Sequence, residues 1–282
     1  MMLSGSARLA GVMGWPVAHS RSPRLHGFWL DRHGIDGAYI PMAVRPENLA
    51  AALGGLAALG FRGCNLTIPH KEAALDLVGE VSPLAARIGA VNTVIVSEDG
   101  TLRGDNSDAF GFIENLRQQA PKLDLAGGPA VVLGAGGAAR AVCVALLEAG
   151  APEIRLLNRG MERAEGLADT IAPAIAPLPW DGRHAALEDA QLIVNTTSLG
   201  MAGQPALDLD LSKLAAPAVV NDLVYSPLRT ALLDAARQRG NIAVDGLGML
   251  LHQARPGFAA WFGVEPEVTA ALRDFVMAEG AG

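Results

Sequence analysis

The sequence predicts an α/β fold made of two domains. Apolar segments of strand length alternate with helical patterns along almost the whole chain, which is typical of sheets with parallel strands. The chain has 282 residues, close to the length of two domains of about 150 residues each. Half of the residues are hydrophobic and 18% are charged, so both domains can bury a core.

The first part of the chain alternates between strand and helix patterns. Pro23 suits the first position of a helix, and Glu98-Asp99-Gly100 joins two strands as a hairpin turn. The predicted strands span residues 9–13, 38–44, 61–67, 92–96 and 101–103. The predicted helices span residues 23–33, 46–59, 71–78, 83–88 and 109–118.

A loop precedes the second part, because residues 120–128 contain Pro121, Gly127 and Gly128 and lose the hydrophobic periodicity. The strands predicted after it span residues 130–133, 154–158, 192–195 and 218–223. The helices predicted after it span residues 138–149, 161–171, 228–239, 247–255 and 266–278. The last of these begins at Pro266 and ends before Gly280.

Charge and cysteine usage exclude several classes of ligand. The chain has 22 basic and 29 acidic residues, a net charge of −7, and no long block of Lys or Arg. Nucleic acid is therefore excluded as a main ligand. Cys64 and Cys143 stand singly, and no cysteine or histidine has the spacing of metal ligands. We expect no metal, and a reduced, cytoplasmic compartment.

Residues 127–147 carry one charge, Arg140, and are long enough to span a bilayer. Their clustered glycines favour a strand, a tight turn and a buried helix instead, so no membrane contact is expected. The amino-terminal residues also lack a hydrophobic stretch long enough for a signal peptide.

Residues 134–139 form the strongest single motif. The strand at 130–133 runs directly into Gly134-Ala135-Gly136-Gly137-Ala138-Ala139, which matches G-x-G-x-x-A between a strand and a helix. Gly134 permits a tight turn, Gly136 lets the backbone approach a pyrophosphate, and Ala139 permits close packing. The motif predicts a Rossmann-type dinucleotide site with phosphate at the helix amino terminus.

The end of the next strand indicates which dinucleotide binds. A site for NAD ordinarily has Asp or Glu there to hold the ribose 2′-hydroxyl. This chain has Asn158 and Arg159, with Arg163 one helical turn away, and two guanidinium groups can clamp a 2′-phosphate. The pattern favours NADP, and solvated surface arginines are the alternative interpretation.

Ser20 and Ser22 precede the first predicted helix. Ser22 is placed to cap that helix, so simple capping is one interpretation. Two hydroxyls beside a helix amino terminus also suit a carboxylate, and local chemistry favours neither interpretation.

Further polar residues stand where α/β sheets bind ligands, at strand ends and the helices that follow. Asn65 and Thr67 share one side of a strand's carboxyl end. Lys71 opens the next predicted helix, where a cation opposes the helix dipole, so it is a candidate functional residue unless it extends to solvent. Asp108 either caps a helix or reacts, and Gln253 either reaches a ligand hydroxyl or is simply exposed.

Together these motifs resemble shikimate dehydrogenase, the NADP-dependent reductase family of aromatic amino-acid biosynthesis. The resemblance covers nearly the whole chain and depends on several segments in order. They are Gly14-Trp15-Pro16-Val17-Ala18-His19-Ser20-Arg21-Ser22-Pro23, Asn65-Leu66-Thr67-Ile68-Pro69-His70-Lys71, Gly89-Ala90-Val91-Asn92-Thr93, Gly104-Asp105-Asn106-Ser107-Asp108, the glycine turn with Asn158-Arg159, and Asp245-Gly246-Leu247-Gly248-Met249.

The resemblance implies reversible, NADPH-dependent reduction of 3-dehydroshikimate to shikimate in chorismate biosynthesis. Lys71 and Asp108 would form the catalytic pair, and Ser20 and Ser22 would bind the substrate carboxylate. Other substrate contacts are implied for Thr67, Asn92, Asp108, Tyr225 and Gln253. Cofactor contacts are implied for Gly134, Ala135, Gly136, Gly137, Ala138, Asn158, Arg159, Arg163, Thr196, Ser198, Leu223, Gly246 and Met249.

The resemblance also implies how the chain is divided. The substrate domain would be discontinuous, with residues 1–108 and 246–282, because the family folds its last helices back onto the first domain. Residues 109–245 would form the Rossmann domain for NADP(H), with a cleft between the domains. The oligomeric state stays open, a homodimer included.

Two residues depart from the family pattern. Ser107 replaces the more usual Thr and keeps a hydroxyl, whereas Gly160 stands where Thr or Ser is common. The loss of that hydroxyl softens the expected preference for NADP. Two alternatives stay open: a quinate/shikimate dehydrogenase with broader substrate or cofactor use, and a non-catalytic NADP-sensing protein on the same fold.

Overall fold

The protein is described by a computed structural model that covers residues 3–278. These residues form two compact units: the first runs to Ser107 and resumes at Leu251, and the second spans Asp108–Leu250. Each unit contains one six-stranded sheet with flanking helices, so the predicted two-domain α/β fold is confirmed. Gly280, predicted to follow the last helix, lies outside the described residues.

The first unit contains a mixed sheet in the strand order β2-β1-β3-β5-β6-β4. Its strands are β1 (Arg8–Gly14), β2 (Gly37–Ala43), β3 (Phe61–Leu66), β4 (Glu80–Val81), β5 (Thr93–Val96) and β6 (Leu102–Asp105). β1 pairs in parallel with β2 and β3, and β4 pairs in parallel with β6. β5 runs antiparallel to both of its neighbours. The carboxyl ends of β1 and β3 therefore meet at one edge of the sheet.

The second unit contains a fully parallel sheet in the order β12-β11-β10-β7-β8-β9. Its strands are β7 (Ala130–Leu133), β8 (Ile154–Asn158), β9 (Ile175–Pro179), β10 (Leu192–Asn195), β11 (Val219–Asp222) and β12 (Ile242–Val244). Every residue of β7 and β10 is buried, as expected for central strands covered on both faces.

The described residues contain α-helices of 6 to 16 residues. They are α1 (Ser22–Arg32), α2 (Leu49–Ala58), α3 (Pro83–Ile88), α4 (Asp108–Gln119), α5 (Gly137–Glu148), α6 (Met161–Ile171), α7 (Ala231–Gln238), α8 (Leu247–Phe262) and α9 (Ala270–Met277). Within residues 3–278, no helix combines the length and hydropathy that a membrane crossing requires. The apolar segment from 127 to 147 forms β7, the glycine turn and the buried helix α5, as the glycines predict.

The helix predicted at residues 71–78 is wrong. This segment contains only a short 3₁₀ turn, Ala73–Asp76, in which Ala74 is the one buried residue. Leu75 and Val78 pack against the same core but are only partly buried, so the segment buries less apolar surface than a stable helix needs, because most helical stability in proteins comes from such packing. Lys71 therefore does not open an α-helix, so no helix dipole opposes its charge.

Several helix starts also differ from prediction. α1 begins at Ser22, so Ser22 is not its N-cap; Arg21 holds that position without a side-chain hydrogen bond. The last helix begins at Ala270 rather than Pro266, because the Thr269 hydroxyl accepts a hydrogen bond from the Leu272 amide at 3.2 Å. A hydroxyl that caps a helix determines its start more strongly than an upstream proline does.

Three strands were not predicted from the sequence. β9 contains two prolines and lies at the sheet edge, where proline costs no ladder hydrogen bond on the open side. β4 has two residues and β12 has three, too few for a period-two pattern to be recognised.

A histidine lies in the aromatic core of the first unit. The ring of His26 stacks on Tyr39 at 3.8 Å between centroids and is fully buried. Trp29, Phe258 and Trp261 surround it, each with its ring centroid 5.8 Å away. Among the described residues neither ring nitrogen has a hydrogen-bond partner, and burial lowers the pKa of His26 to about 3.

This burial predicts an acid-dependent loss of stability. In the unfolded chain His26 binds a proton below about pH 6.5, whereas the folded protein resists protonation until about pH 3. The free energy of unfolding should therefore fall by about 1.4 kcal/mol for each pH unit below 6 through this residue alone. His26→Phe, which keeps an aromatic ring and cannot titrate, should remove that contribution, measured by urea unfolding from pH 7 to 4. The control His33→Phe changes an exposed ring and should keep the wild-type slope; equal slopes for all three proteins would contradict the prediction.

Candidate functional site

The first group of candidate residues lies where β1 and β3 end. Gly14 is the last residue of β1, and Thr67 follows β3. The Thr67 amide donates to the Met13 carbonyl at 2.9 Å, which extends the pairing of the two strands by one residue. A Cβ on Gly14 would lie 2.4 Å from Cγ2 of Thr67. Gly14 therefore creates the space that the predicted substrate residue Thr67 occupies.

Asn92, a predicted substrate residue, is oriented by hydrogen bonds that fill its carbonyl side. Its Oδ1 accepts from the Ser107 amide at 2.8 Å, the Ser107 hydroxyl at 3.1 Å and the Thr93 hydroxyl at 2.8 Å. Because Oδ1 is so occupied, Nδ2 points the other way, and it donates to Oε1 of Gln253 at 3.5 Å. Two predicted substrate residues that are 161 positions apart are thus brought together.

Asn65 has a structural role rather than a ligand-facing one. It is 6% exposed, and its Oδ1 accepts from the Tyr39 hydroxyl at 2.7 Å. Its Nδ2 donates to the Asn92 carbonyl at 3.0 Å and lies 3.3 Å from the Thr93 hydroxyl. Asn65 therefore links β2, β3 and the start of β5, and it holds the backbone of Asn92.

The two serines lie at the start of α1. Ser22 is buried, and its amide donates to the Ser20 hydroxyl oxygen at 3.3 Å. Burial raises the pKa of Tyr39 well above its usual value, the nearby Cys64 raises it further, and a hydrogen bond with Ser22 lowers it. Tyr39 therefore lies beside Ser22, and its hydroxyl donates to Oδ1 of Asn65 at 2.7 Å.

The predicted catalytic residues lie in different units. Lys71 is half-buried in the first unit, and its backbone is fixed because its carbonyl accepts from the Val91 amide at 2.8 Å. The adjacent His70 is buried, and its Nε2 lies 2.8 Å from the Val44 carbonyl. Asp108 is buried and is the first residue of both α4 and the second unit.

The glycine turn of the second unit is tightly constrained. Gly134 has φ of +102°, a region that favours glycine, and its amide donates to the Leu157 carbonyl at 2.7 Å. A Cβ there would lie 2.7 Å from the Thr196 hydroxyl and 3.0 Å from Cγ2 of Thr197. Gly136 instead caps α5 with open space around the position of a Cβ. Gly136 is therefore not needed for packing.

A cavity of about 210 Å³ opens beside this turn. The predicted cofactor residues in its lining are Gly134, Ala135, Gly136, Asn158, Arg159, Thr196 and Ser198. Trp180, Thr197 and Leu199 also line it and were not predicted. The described lining contains one cationic side chain and no carboxylate, so the cavity suits an anionic group such as a phosphate.

The loop that carries Thr196 and Ser198 is held by the buried Asn195. Its Nδ2 donates to the Leu199 carbonyl at 3.1 Å and to Oδ1 of Asp222 at 2.9 Å. Its Oδ1 accepts from the amide and hydroxyl of Thr197 at 3.0 and 2.7 Å. Burial raises the pKa of Asp222, and hydrogen bonds from Thr230, Val224 and Asn195 lower it.

The other predicted cofactor residues lie on four segments of the second unit. Gly137 and Ala138 form the first turn of α5, and Arg163 is exposed on the first turn of α6. Leu223 follows β11 and contacts Gly246, where a Cβ would lie 2.2 Å from the Leu223 carbonyl oxygen. Met249, the last predicted cofactor residue, is 8% exposed, and Tyr225, a predicted substrate residue, is half-buried.

The segment after β8 lacks one expected phosphate ligand. Gly160 caps α6 without a side chain, and the Asn158 side chain donates to the Gly160 carbonyl at 2.9 Å. Arg159 is exposed and lines the cavity.

Among residues 3–278, no group of three or more His, Cys, Asp or Glu could hold a metal ion.

Comparisons with known proteins find similar sequences for both parts of the chain. Residues 12–94 match the family described as shikimate dehydrogenase substrate binding domain, and residues 115–202 match shikimate/quinate 5-dehydrogenase. A shikimate dehydrogenase (NADP(+)) of Rhodospirillum rubrum is 61% identical over 281 residues, which cover 98% of this chain and 99% of the relative.

The chain is also similar to solved structures of related dehydrogenases. The chain is similar to shikimate 5-dehydrogenase from Thermus thermophilus in complex with NADP(H) and shikimate, with 40% identity and a TM-score of 0.84. It is also similar to quinate dehydrogenase from Corynebacterium glutamicum in complex with NAD, with 33% identity and a TM-score of 0.89. Both alignments cover 95% of this chain and 98% of the other chain.

The two glycines of the turn should respond differently to substitution. Gly134→Ala forces a methyl group against the Thr196 loop and should lower the free energy of unfolding by about 1–3 kcal/mol. Gly136→Ala meets open space, so its melting temperature should match the wild type. It should nevertheless weaken NADP binding at least about tenfold, or about 1.4 kcal/mol, because the methyl group blocks the approach of the pyrophosphate.

Calorimetry and thermal unfolding of both variants measure these effects. Unchanged NADP affinity in Gly136→Ala would contradict the assignment of the turn as the pyrophosphate site.

Proposed function

Because the chain belongs to the shikimate dehydrogenase family, we propose that it catalyses the reversible, NADPH-dependent reduction of 3-dehydroshikimate to shikimate in chorismate biosynthesis. One observation supports this function above others. The glycine turn opens into a cavity that Asn158 and Arg159 also line, with no carboxylate among its described lining residues. Such a lining suits a 2′-phosphate and does not provide the acidic ligand of an NAD ribose.

The substrate domain is proposed to comprise residues 1–108 and 246–282, and the NADP-binding domain residues 109–245. The compact units of the structure divide close to these positions, at Ser107 and Leu251. Residues 12–94, which match a substrate-binding domain, lie within the first unit.

In the substrate site, Ser20 and Ser22 are proposed to bind the carboxylate. The buried position of Ser22 supports this role, because it pre-positions one hydroxyl and limits its competition with water. The ring hydroxyls are proposed to contact Thr67, Asn92, Asp108, Tyr225 and Gln253. The proposed role of Asn92 is supported by the hydrogen bonds that its Oδ1 accepts. These leave Nδ2 as the group that faces Gln253.

In the cofactor site, the pyrophosphate is proposed to lie at Gly134 to Ala138, on the amino terminus of α5. Arg159 and Arg163 would neutralise the 2′-phosphate beside Asn158. The loop residues Thr196 and Ser198 and the segments at Leu223, Gly246 and Met249 complete the proposed contacts.

The bound cofactor supplies the hydride for the reduction of the ketone. Lys71 is proposed to stabilise the alkoxide that develops and to protonate it, directly or through a water that it orients. Asp108 is proposed to orient Lys71 and the neighbouring substrate hydroxyl. The fixed backbone of residues 70–71 supports this role, because general acid catalysis requires a donor held within hydrogen-bond reach of the reacting oxygen.

A quinate/shikimate dehydrogenase with relaxed cofactor choice is the second candidate. Gly160 favours it, because this cap provides no hydroxyl for the 2′-phosphate. The structural relative from Corynebacterium glutamicum binds NAD and is named a quinate dehydrogenase.

A cytoplasmic location is proposed because Cys64 and Cys143 are both buried free thiols. A small-molecule substrate is the proposed partner, as the match to a substrate-binding domain supports. Sedimentation velocity of the purified protein decides between a monomer and the homodimer that the sequence leaves open.

The proposed activity predicts the outcome of an assay that crosses shikimate and quinate with NADP and NAD. Reduction of NADP with shikimate should be fastest, because Arg159 and Arg163 favour the 2′-phosphate. Initial rates of nicotinamide reduction, followed by its absorbance, measure this. Comparable rates with quinate or NAD would favour the second candidate, and binding of NADP without turnover would indicate a sensing protein.

The role of Lys71 predicts a loss of rate rather than of binding. Lys71→Ala should lower kcat by about 10²–10⁴, the usual contribution of a general acid, with a much smaller effect on KM. The control Lys122→Ala removes an exposed lysine from the loop before β7 and should keep wild-type kinetics. Steady-state rates with shikimate and NADP measure both variants, and an unchanged kcat in Lys71→Ala would remove this residue from the chemistry.

A further inference from the structure

Trp180 lies just beyond a strand of the Rossmann sheet, next to the proposed cofactor site. It follows β9 directly, and β9 is the edge strand beside β8. The strands pair in parallel with Asn158 opposite Pro179, so their carboxyl ends lie side by side. Trp180 therefore lies one strand farther from the glycine turn than Asn158 and Arg159 do.

The cavity beside the turn includes this tryptophan. Trp180 lines it together with Gly134, Asn158 and Arg159, and among the described lining residues it alone is aromatic. The turn and the end of β8 are the places where a dinucleotide's pyrophosphate and adenosine ribose bind. An extended dinucleotide that occupies both places carries its adenine ring toward the end of β9.

The indole is held in a fixed orientation. The guanidinium of Arg183 lies over the ring, 5.4 Å from its centroid. Arg183 is itself held, because it donates to the Asp208 carboxylate at 2.7 Å, the Asp208 carbonyl at 2.8 Å and the Trp180 carbonyl at 3.3 Å. The ring also packs against the core of the second unit. A pre-organised aromatic surface loses little entropy when a planar ligand binds to it.

We infer that the indole of Trp180 is the surface on which the adenine ring of the cofactor stacks. This inference rests on the proposed function and adds a residue that binds the base rather than the phosphate. Stacking uses the π-face that every base has and needs no hydrogen bonds to its edge. Trp180 and Arg159 therefore recognise separate parts of the same ligand: Trp180 binds the base, and Arg159 binds the 2′-phosphate.

Two adenine nucleotides separate these contributions. 2′,5′-ADP carries both the base and the 2′-phosphate, whereas 5′-AMP carries the base without the 2′-phosphate. Trp180→Leu should weaken both by the same factor, at least about fivefold, because a stacked base contributes about 1–3 kcal/mol. Trp180→Phe, which keeps an aromatic face, should recover most of the affinity. The comparison variant Arg159→Ala should weaken 2′,5′-ADP and leave 5′-AMP unchanged. Isothermal titration calorimetry of the full chain measures all four proteins.

Fluorescence tests the contact without a destabilising substitution. The chain has four tryptophans, and the other three, Trp15, Trp29 and Trp261, belong to the first unit. Titration of the wild type with 2′,5′-ADP should quench the emission, and Trp180→Phe should lose this quenching. Trp15→Phe is a matched control, because a guanidinium, that of Arg45, also lies over its ring, and it should keep the quenching.

Equal affinities of the wild type and Trp180→Leu for both nucleotides would overturn the inference, as would quenching that survives in Trp180→Phe. Neither result would affect the proposed function, which the shikimate and NADP assay tests separately. If the wild type binds no 2′,5′-ADP, the proposed cofactor site and the inference both fail. If Trp180→Leu does not fold, the fluorescence of the wild type and Trp180→Phe still decides the question.

Discussion

Both units depend on the same close contact between a glycine and a threonine at the ends of two adjacent parallel strands. In the first unit Gly14 ends β1 and faces Thr67 after β3, and in the second Gly134 follows β7 and faces Thr196 after β10. Each threonine amide donates, at 2.9 Å, to the carbonyl of the residue before the glycine. A Cβ on either glycine would lie within 2.7 Å of the threonine side chain. The absence of that one carbon lets the two strand ends approach closely. In each unit, the candidate site lies at the carboxyl ends of these strands.

Buried amides then fix the loops that these contacts bring together. Asn65 and Asn92 connect β2, β3, β5 and the segment before α4, while Asn195 connects the loop after β10 to Asp222. A buried amide that loses a partner costs about 1–3 kcal/mol, so each network favours one arrangement of its loop strongly. The resulting order is what binding requires, because a ligand then need not supply the free energy to arrange the groups that recognise it.

In the cavity of the second unit, the groups that can bind a charge are separate from the one that can stack on a base. Its cavity combines backbone amides at an α-helix terminus, one guanidinium and an indole, without a described carboxylate. This division suits a protein whose net charge is −7, because an anionic cofactor is attracted only where acidic side chains are excluded locally. If the cofactor stacks on the aromatic surface as inferred, that contribution would not depend on ionic strength, unlike one from the arginine.

The sequence by itself determined the features that depend on neighbours in the chain. The glycine turn could be predicted because strand, turn and helix are consecutive, and Asn158-Arg159 because it ends the next strand. The tertiary structure decided what depends on distant residues. The pairing of Asn92 with Gln253, the structural role of Asn65, the proline-containing edge strand β9 and the entry of Trp180 into the cavity all arise from contacts between remote segments. The helix predicted at 71–78 is absent for the same reason: its residues permit a helix, but in the tertiary structure they form only a short 3₁₀ turn, in which Ala74 is the one buried residue.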